Sequence, residues 1–153
     1  LKGSDFILDI VGNGSLRTKL EKQAEFYDVH VNFINSLENF DLLKLMENYK
    51  YYVSTSLYEG NPKTILEAMS KGCIVIASDI ANHSEIIKDN YSGLIFDWEN
   101  DNLAKILDEL NHNSVKALDL SKNAHNYVQK NFSLEKISND EFSDYLELLK
   151  DSK

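Results

Sequence analysis

The sequence predicts an α/β fold in which a parallel sheet carries helices on both faces. Two observations carry this. Short apolar runs of strand length alternate with longer segments of helical period along the whole chain, the pattern of βαβ units. The strand segments are continuous apolar runs rather than alternating ones, as in strands buried on both sides.

Taken in order, Phe6-Ile7-Leu8-Asp9-Ile10-Val11 is the first strand, closed by Gly12-Asn13-Gly14. Ser15 is a candidate cap for a helix to about Phe26. Val29 to Phe33 is a second strand, and Asn39 a candidate cap for a helix from about Phe40 to Tyr49. Tyr51 to Thr55 is a third strand, followed by a helix from Pro62 to about Lys71. Cys73 to Ser78, rich in β-branched residues, is a fourth strand. His83 to Lys88 is a short helix with His83 at its surface, and Gly93 to Phe96 a fifth strand. Helices over about Glu99 to Leu110, Ser114 to Asn131 and Ser133 to Leu149 complete the chain.

A length of 153 residues suits one ordinary domain, and 42% hydrophobic with 27% charged residues is a globular balance. Cys73 is the one cysteine, so no internal disulfide forms, and its apolar neighbours make it a small buried hydrophobe rather than a reactive thiol. The net charge is −9 and Arg17 is the one arginine, which argues against a nucleic-acid partner. An anionic ligand must therefore be held mainly by backbone amides, a helix end or a few lysines. No apolar run approaches the ~18 residues of a membrane span. Leu1-Lys2-Gly3-Ser4-Asp5 is neither a signal nor a transit peptide and has no initiator methionine, so an excised part of a longer protein is expected.

In a parallel α/β sheet, ligands sit beyond the carboxyl ends of the strands. That singles out the loops at 12–14, 34–38 and 56–61. The third leads into YEGNPKTILEAMSKG, residues 58–72, which holds the only proline, Pro62. With Asn61 as cap and Pro62 as first helical residue, the amides of Lys63 and Thr64 lie free at a positive helix end, a ready anion site. Lys63 adds charge and Thr64 a hydroxyl. Glu67, one turn on, is placed to accept from the vicinal hydroxyls of a ribose joined to that anion. Glu59, on the other side of the helix start, can meet a second polyol or a developing positive charge. A plainer reading is equally open here: Glu59 as a surface loop residue and Lys63 with Glu67 as an ordinary i,i+4 pair. Gly12-Asn13-Gly14 either cradles phosphate or makes a tight turn. The four histidines are scattered and form no metal cluster.

The stretch EGNPKTILEAMSKGCIVIASDIANHSEIIKDNYSGLIF, Glu59 to Phe96, resembles the retaining glycosyltransferases of family four, the group 1 glycosyltransferases. Their signature is Glu, seven residues, Glu, with a downstream GxxE and GxLF. Ile10 to Arg17, Val31 to Asn35 and Asn131-Phe132-Ser133 extend the likeness over nearly the whole chain. The resemblance implies the C-terminal, donor-binding Rossmann-like domain of a GT-B enzyme, lacking that domain's first strand and the N-terminal acceptor domain.

Carried over by position, the resemblance assigns Glu59 to the transferring sugar as the catalytic carboxylate. It assigns Gly12, Gly60, Asn61, Pro62, Lys63 and Thr64 to the donor sugar and diphosphate. Glu67 takes the ribose, with the base near Ser36 and Leu37. The implied partners are a nucleotide-sugar donor, with UDP favoured, and a glycan or lipid-linked acceptor reached through the N-terminal half. No metal or other cofactor is expected. The expected location is cytoplasmic, with peripheral attachment at the membrane face left open. Asn35 stands where the family has glycine, and Ala81-Asn82 where it has a glycine pair, which puts a backbone role for that loop in doubt. Two alternatives remain: a non-catalytic flavodoxin-like interaction module, and another GT-B enzyme such as a phosphorylase or a sugar-nucleotide epimerase.

Overall fold

The structure, a computed structural model, describes residues 6–100 and 102–151. Residues 1–5, on which the reading of the chain start rests, lie outside them. The elements run β1 (Leu8–Val11), α1 (Arg17–Tyr27), β2 (Val31–Ile34), α2 (Asn39–Met46), β3 (Tyr51–Ser54), α3 (Lys63–Ser70), β4 (Ile74–Ser78), α4 (Ala81–Ile86), β5 (Leu94–Phe96), α5 (Leu103–His112), α6 (Ser114–Asn131) and α7 (Leu134–Asp151). The predicted alternation is therefore present, with all ladder pairs parallel. The strands form two sheets, β1-β2 and β3-β4-β5, in place of one. Each lies in its own compact unit, Leu1–Lys44 and Leu45–Lys153.

In the smaller unit β1 pairs with β2 from Leu8↔Val31 to Val11↔Ile34, and Asn32 donates to the Asp9 carboxylate across the pair at 2.8 Å. Ser15 does not cap α1: Leu16 holds that position without a side-chain hydrogen bond. The turn closes instead through the Arg17 amide on the Gly14 carbonyl at 3.0 Å. α1 stops at Asp28, whose left-handed φ of 53° lets its amide return to Ala24 and Glu25. Asn39 lies inside α2 rather than before it, and the first turn closes from the Leu42 amide to Glu38.

The larger unit has its core around β4, all five of whose residues are buried. β4 lies between β3 and β5, so a continuous apolar run is what its position demands. α3 presents Ile65, Ala68 and Met69, at i, i+3 and i+4, as one buried face. Full burial of Ile65 and Met69 contributes about 1.5–3 kcal/mol each. α6 adds Ala117, Leu120, Ala124 and Val128 to the core, while α5 adds Leu107 and Leu110. α6 also fixes the far end of α3: Ser121 donates to the Gly72 carbonyl at 2.7 Å, and the His125 ring to that of Ser70 at 2.9 Å. Phe96 and Trp98 meet edge to face at 5.2 Å in one corner of this unit.

α5 begins at Leu103, four residues later than expected, because Asp97 gathers the preceding segment into a turn. It accepts from the Glu99 amide at 2.8 Å and from the Asn100 side chain. No described helix is long and apolar enough to cross a membrane.

Candidate functional site

The helix at the centre of the motif starts one residue later than the sequence suggests. Pro62, not Asn61, holds the cap position, and Lys63 is the first helical residue. Pro62 has φ −81° and ψ 62°, and the Lys63 amide donates to the Asn61 carbonyl at 2.9 Å. That is an inverse γ-turn, to which the proline ring contributes its fixed φ. The Lys63 amide is thus already used, which corrects the expectation that it lies free. The Thr64 amide makes no hydrogen bond to any described residue, so it remains the donor at the helix start. Lys63 and Thr64 are exposed, Pro62 is buried, and Gly60 and Asn61 are exposed in the loop.

Tyr52, on β3, joins these parts and was not singled out by the motif. Its hydroxyl donates to Thr64 Oγ1 at 2.9 Å. With that lone pair occupied, the Thr64 hydroxyl has its own proton to direct outward. Burial pushes the Tyr52 phenol above its ordinary range, the Thr64 bond opposes this, and the negative charges of Glu59 and Glu67 push it up further. Both carboxylates therefore act on the same phenol at the start of α3. Glu59 and Glu67 are each half-buried. Sequence gives little hint of this, because Tyr52 meets Thr64 only once β3 and α3 are packed.

Glu59 sits on an irregular loop, 55–62, tied down by hydrogen bonds from within it and from outside. Ser56 donates to Glu59 Oε1 at 2.8 Å. Asn82 donates to the carbonyls of Glu59 at 2.5 Å and Gly60 at 3.0 Å. Ser78 donates to the Ser56 carbonyl at 2.5 Å. His83, expected at the surface of a helix start, is fully buried instead. α4 starts two residues earlier than predicted, at Ala81, which turns His83 inward. Its Nδ1 donates to the Ser78 carbonyl at 2.9 Å, and Nε2 lies 3.5 Å from Ser54 Oγ. The lost glycine pair at 81–82 is thus replaced by a side chain, Asn82, that grips the carboxylate loop.

In the smaller unit, Gly12 follows β1 with φ +140°, a conformation that L side chains rarely adopt. Its amide donates to the Ile34 carbonyl at 3.0 Å. Ser36 and Leu37 are exposed after β2. Arg17 joins the two loops of this unit. Its guanidinium donates to Asn13 Oδ1 at 3.0 Å, Asn35 Oδ1 at 3.1 Å and the Phe33 carbonyl at 2.9 Å, while Nε pairs with Glu21 at 3.0 Å. The one arginine is therefore spent on the scaffold, and Asn35, in place of glycine, is one of its acceptors. Among the described residues no three of His, Cys, Asp or Glu sit together as a metal-binding group.

Known glycosyltransferases resemble this chain in sequence and fold. A poly(ribitol-phosphate) alpha-N-acetylglucosaminyltransferase of Staphylococcus aureus (strain COL) is 32% identical over 130 residues, 84% of this chain and 26% of the relative. A UDP-Gal:alpha-D-GlcNAc-diphosphoundecaprenol alpha-1,3-galactosyltransferase of Escherichia coli is 28% identical over 138 residues, 86% of this chain and 34% of the relative. The crystal structure of a Staphylococcus aureus TarM mutant, in complex with fondaparinux, alpha-GlcNAc-glycerol and UDP, superposes with a TM-score of 0.82. It is 29% identical, over 93% of this chain and 29% of that one. The chain thus spans about a quarter to a third of the length of these relatives. The family model "Glycosyl transferases group 1" matches residues 1–127, a span that takes in both glutamates, α3 and the loop that holds Glu59. This chain belongs to the group 1 glycosyltransferases.

Proposed function

We propose that this chain is the donor-binding domain of a retaining glycosyltransferase of the GT-B architecture. It holds a UDP-sugar and works with an acceptor-binding domain to extend a lipid-linked or polymeric glycan. The observation that carries the reading is the cluster at the start of α3, where Glu59 and Glu67 both act on Tyr52 and Tyr52 holds Thr64. UDP is supported by the UDP-Gal relative and by the UDP in the TarM complex. Both curated relatives are named as makers of α linkages, and common UDP-hexoses carry an α anomeric bond, so retention is the matching outcome. Family membership favours transfer over the interaction-module reading. The acceptors in the relatives' names support work at the cytoplasmic face of a membrane, where lipid-linked glycans are built.

The chemistry follows from the parts. The diphosphate lies at the start of α3, where the Thr64 amide, the Thr64 hydroxyl and the Lys63 ammonium meet its charge without a metal ion. Gly60, Asn61 and Pro62 shape the wall beside the sugar and diphosphate. Glu67 accepts from the ribose hydroxyls. As the bond from the anomeric carbon to the diphosphate breaks, positive charge grows on the sugar and Glu59 stabilises it. The acceptor oxygen bonds to the anomeric carbon on the same face. Its proton passes to the departing diphosphate oxygen. Stabilising that leaving group is the largest task, as in other preorganised electrostatic sites.

The test is a titration of the chain with UDP, GDP and ADP, repeated with Glu67→Ala and Glu59→Gln. Glu67→Ala should weaken UDP binding about 10- to 100-fold, the value of a hydrogen bond to a charged group. Glu59→Gln should leave UDP affinity within about twofold and abolish sugar transfer in the complete enzyme. Equal loss of UDP affinity in both variants would refute the division of labour between them.

A further inference from the structure

Resting on that reading, we propose that Ser56 and Asn82 are positioning residues that aim the Glu59 carboxylate at the transferring sugar. A carboxylate on an irregular loop has no helix or strand to fix it, and the 55–62 segment is such a loop. Yet Glu59 is restrained at both ends. Its carbonyl and that of Gly60 accept from Asn82, a residue of α4, which sets the backbone. Its Oε1 accepts from Ser56, which sets the side chain. Its Oε2 accepts from no described residue, so one oxygen is held and the other keeps its lone pairs for a ligand.

The holders are themselves held. The Ser56 carbonyl accepts from Ser78, a fully buried residue of β4. The Ser78 carbonyl accepts from Nδ1 of the fully buried His83. Nε2 of the same ring lies 3.5 Å from the hydroxyl of Ser54 at the end of β3. The loop thus rests on the ends of β3 and β4 and on the first turn of α4 through hydrogen bonds of fixed direction. A group held in this way need not reorganise as charge develops, and small misplacement at such a point is costly to rate.

The discriminating experiment uses the complete enzyme and four variants: Ser56→Ala, Ser56→Thr, Asn82→Ala and Asn82→Asp. The probes are UDP-glucose, UDP-galactose and UDP-N-acetylglucosamine, with UDP release and the Kd for UDP as readouts. Ser56→Ala, Asn82→Ala and Asn82→Asp should lower kcat roughly 10- to 100-fold while KM for donor and the Kd for UDP stay within about twofold. Ser56→Thr, which keeps the hydroxyl, should recover most of the rate. Wild-type kcat in Ser56→Ala and Asn82→Asp would overturn the assignment. So would a parallel loss of UDP affinity and kcat, or a Ser56→Thr variant no better than Ser56→Ala. A wild-type enzyme that binds no UDP and turns over none of the three probes would refute the functional reading itself, and the assignment with it.

Discussion

Raising the pH should unfold the larger unit early, through Cys73. Its side chain is fully buried, and burial pushes the thiol from an ordinary 9.0 to about 11. The sulfur lies 3.3 Å from the Met46 carbonyl and 3.5 Å from that of Tyr49, two acceptors that suit a thiol and oppose a thiolate. The folded pKa is raised, so the unfolded chain loses this proton first. Stability from this group is complete below pH 9 and is lost as pH rises towards about 11. Each unit of pH between those limits removes about 1.4 kcal/mol, so roughly that much is gone at pH 10. The assay is urea unfolding followed by circular dichroism at several pH values from about 8 to 10, for the wild type and Cys73→Ala. Tyrosines and lysines titrate in both proteins and cancel in the difference. The variant starts less stable by the small cavity it opens, but its stability should fall less with pH. Curves that run parallel across this range would refute the argument that burial holds the thiol protonated.

Gly93→Ala should destabilise the larger unit by roughly 1–3 kcal/mol, as overpacking does. The added Cβ would lie 2.9 Å from Ile87 Cγ2 and 3.0 Å from the Val75 carbonyl oxygen, and the backbone atom cannot swing aside. Thermal melting reads this directly. Arg17→Lys should loosen both loops of the smaller unit, because an ammonium cannot reach Asn13, Asn35 and the Phe33 carbonyl together. The expected cost is about 1 kcal/mol, with faster amide exchange at 12–14 and 35–37 and unchanged exchange in β4.

The parts of this fold that were legible in the sequence are those governed by local pattern. β4 reads as a strand because five consecutive residues are buried, and α3 as a helix because Ile65, Ala68 and Met69 recur at its period. The misses arise where a residue had more than one local option. Pro62 suits either the first helical position or the centre of an inverse γ-turn, and only the Asn61 to Lys63 bond decides between them. His83 carries no label of burial, since its carbonyl partner on Ser78 and its hydroxyl neighbour on Ser54 come from separate strands. Asn82 was read as the loss of a glycine, whereas its gain lies in two carbonyls more than twenty residues earlier in the chain. The division of the strands into two sheets was equally invisible, because apolar runs declare strands and not which neighbours they take.

The Phe96–Trp98 corner has an optical consequence. Trp98 is the only tryptophan in the sequence, and it belongs to the larger unit, half exposed against a buried ring. Intrinsic fluorescence excited in the indole band therefore reports on residues 45–153 alone, and the smaller unit folds and unfolds without a chromophore of that kind. A transition seen in tryptophan emission and one seen in helical ellipticity are measurements of different bodies in this protein, and their coincidence or separation is a direct reading of whether the two units melt as one.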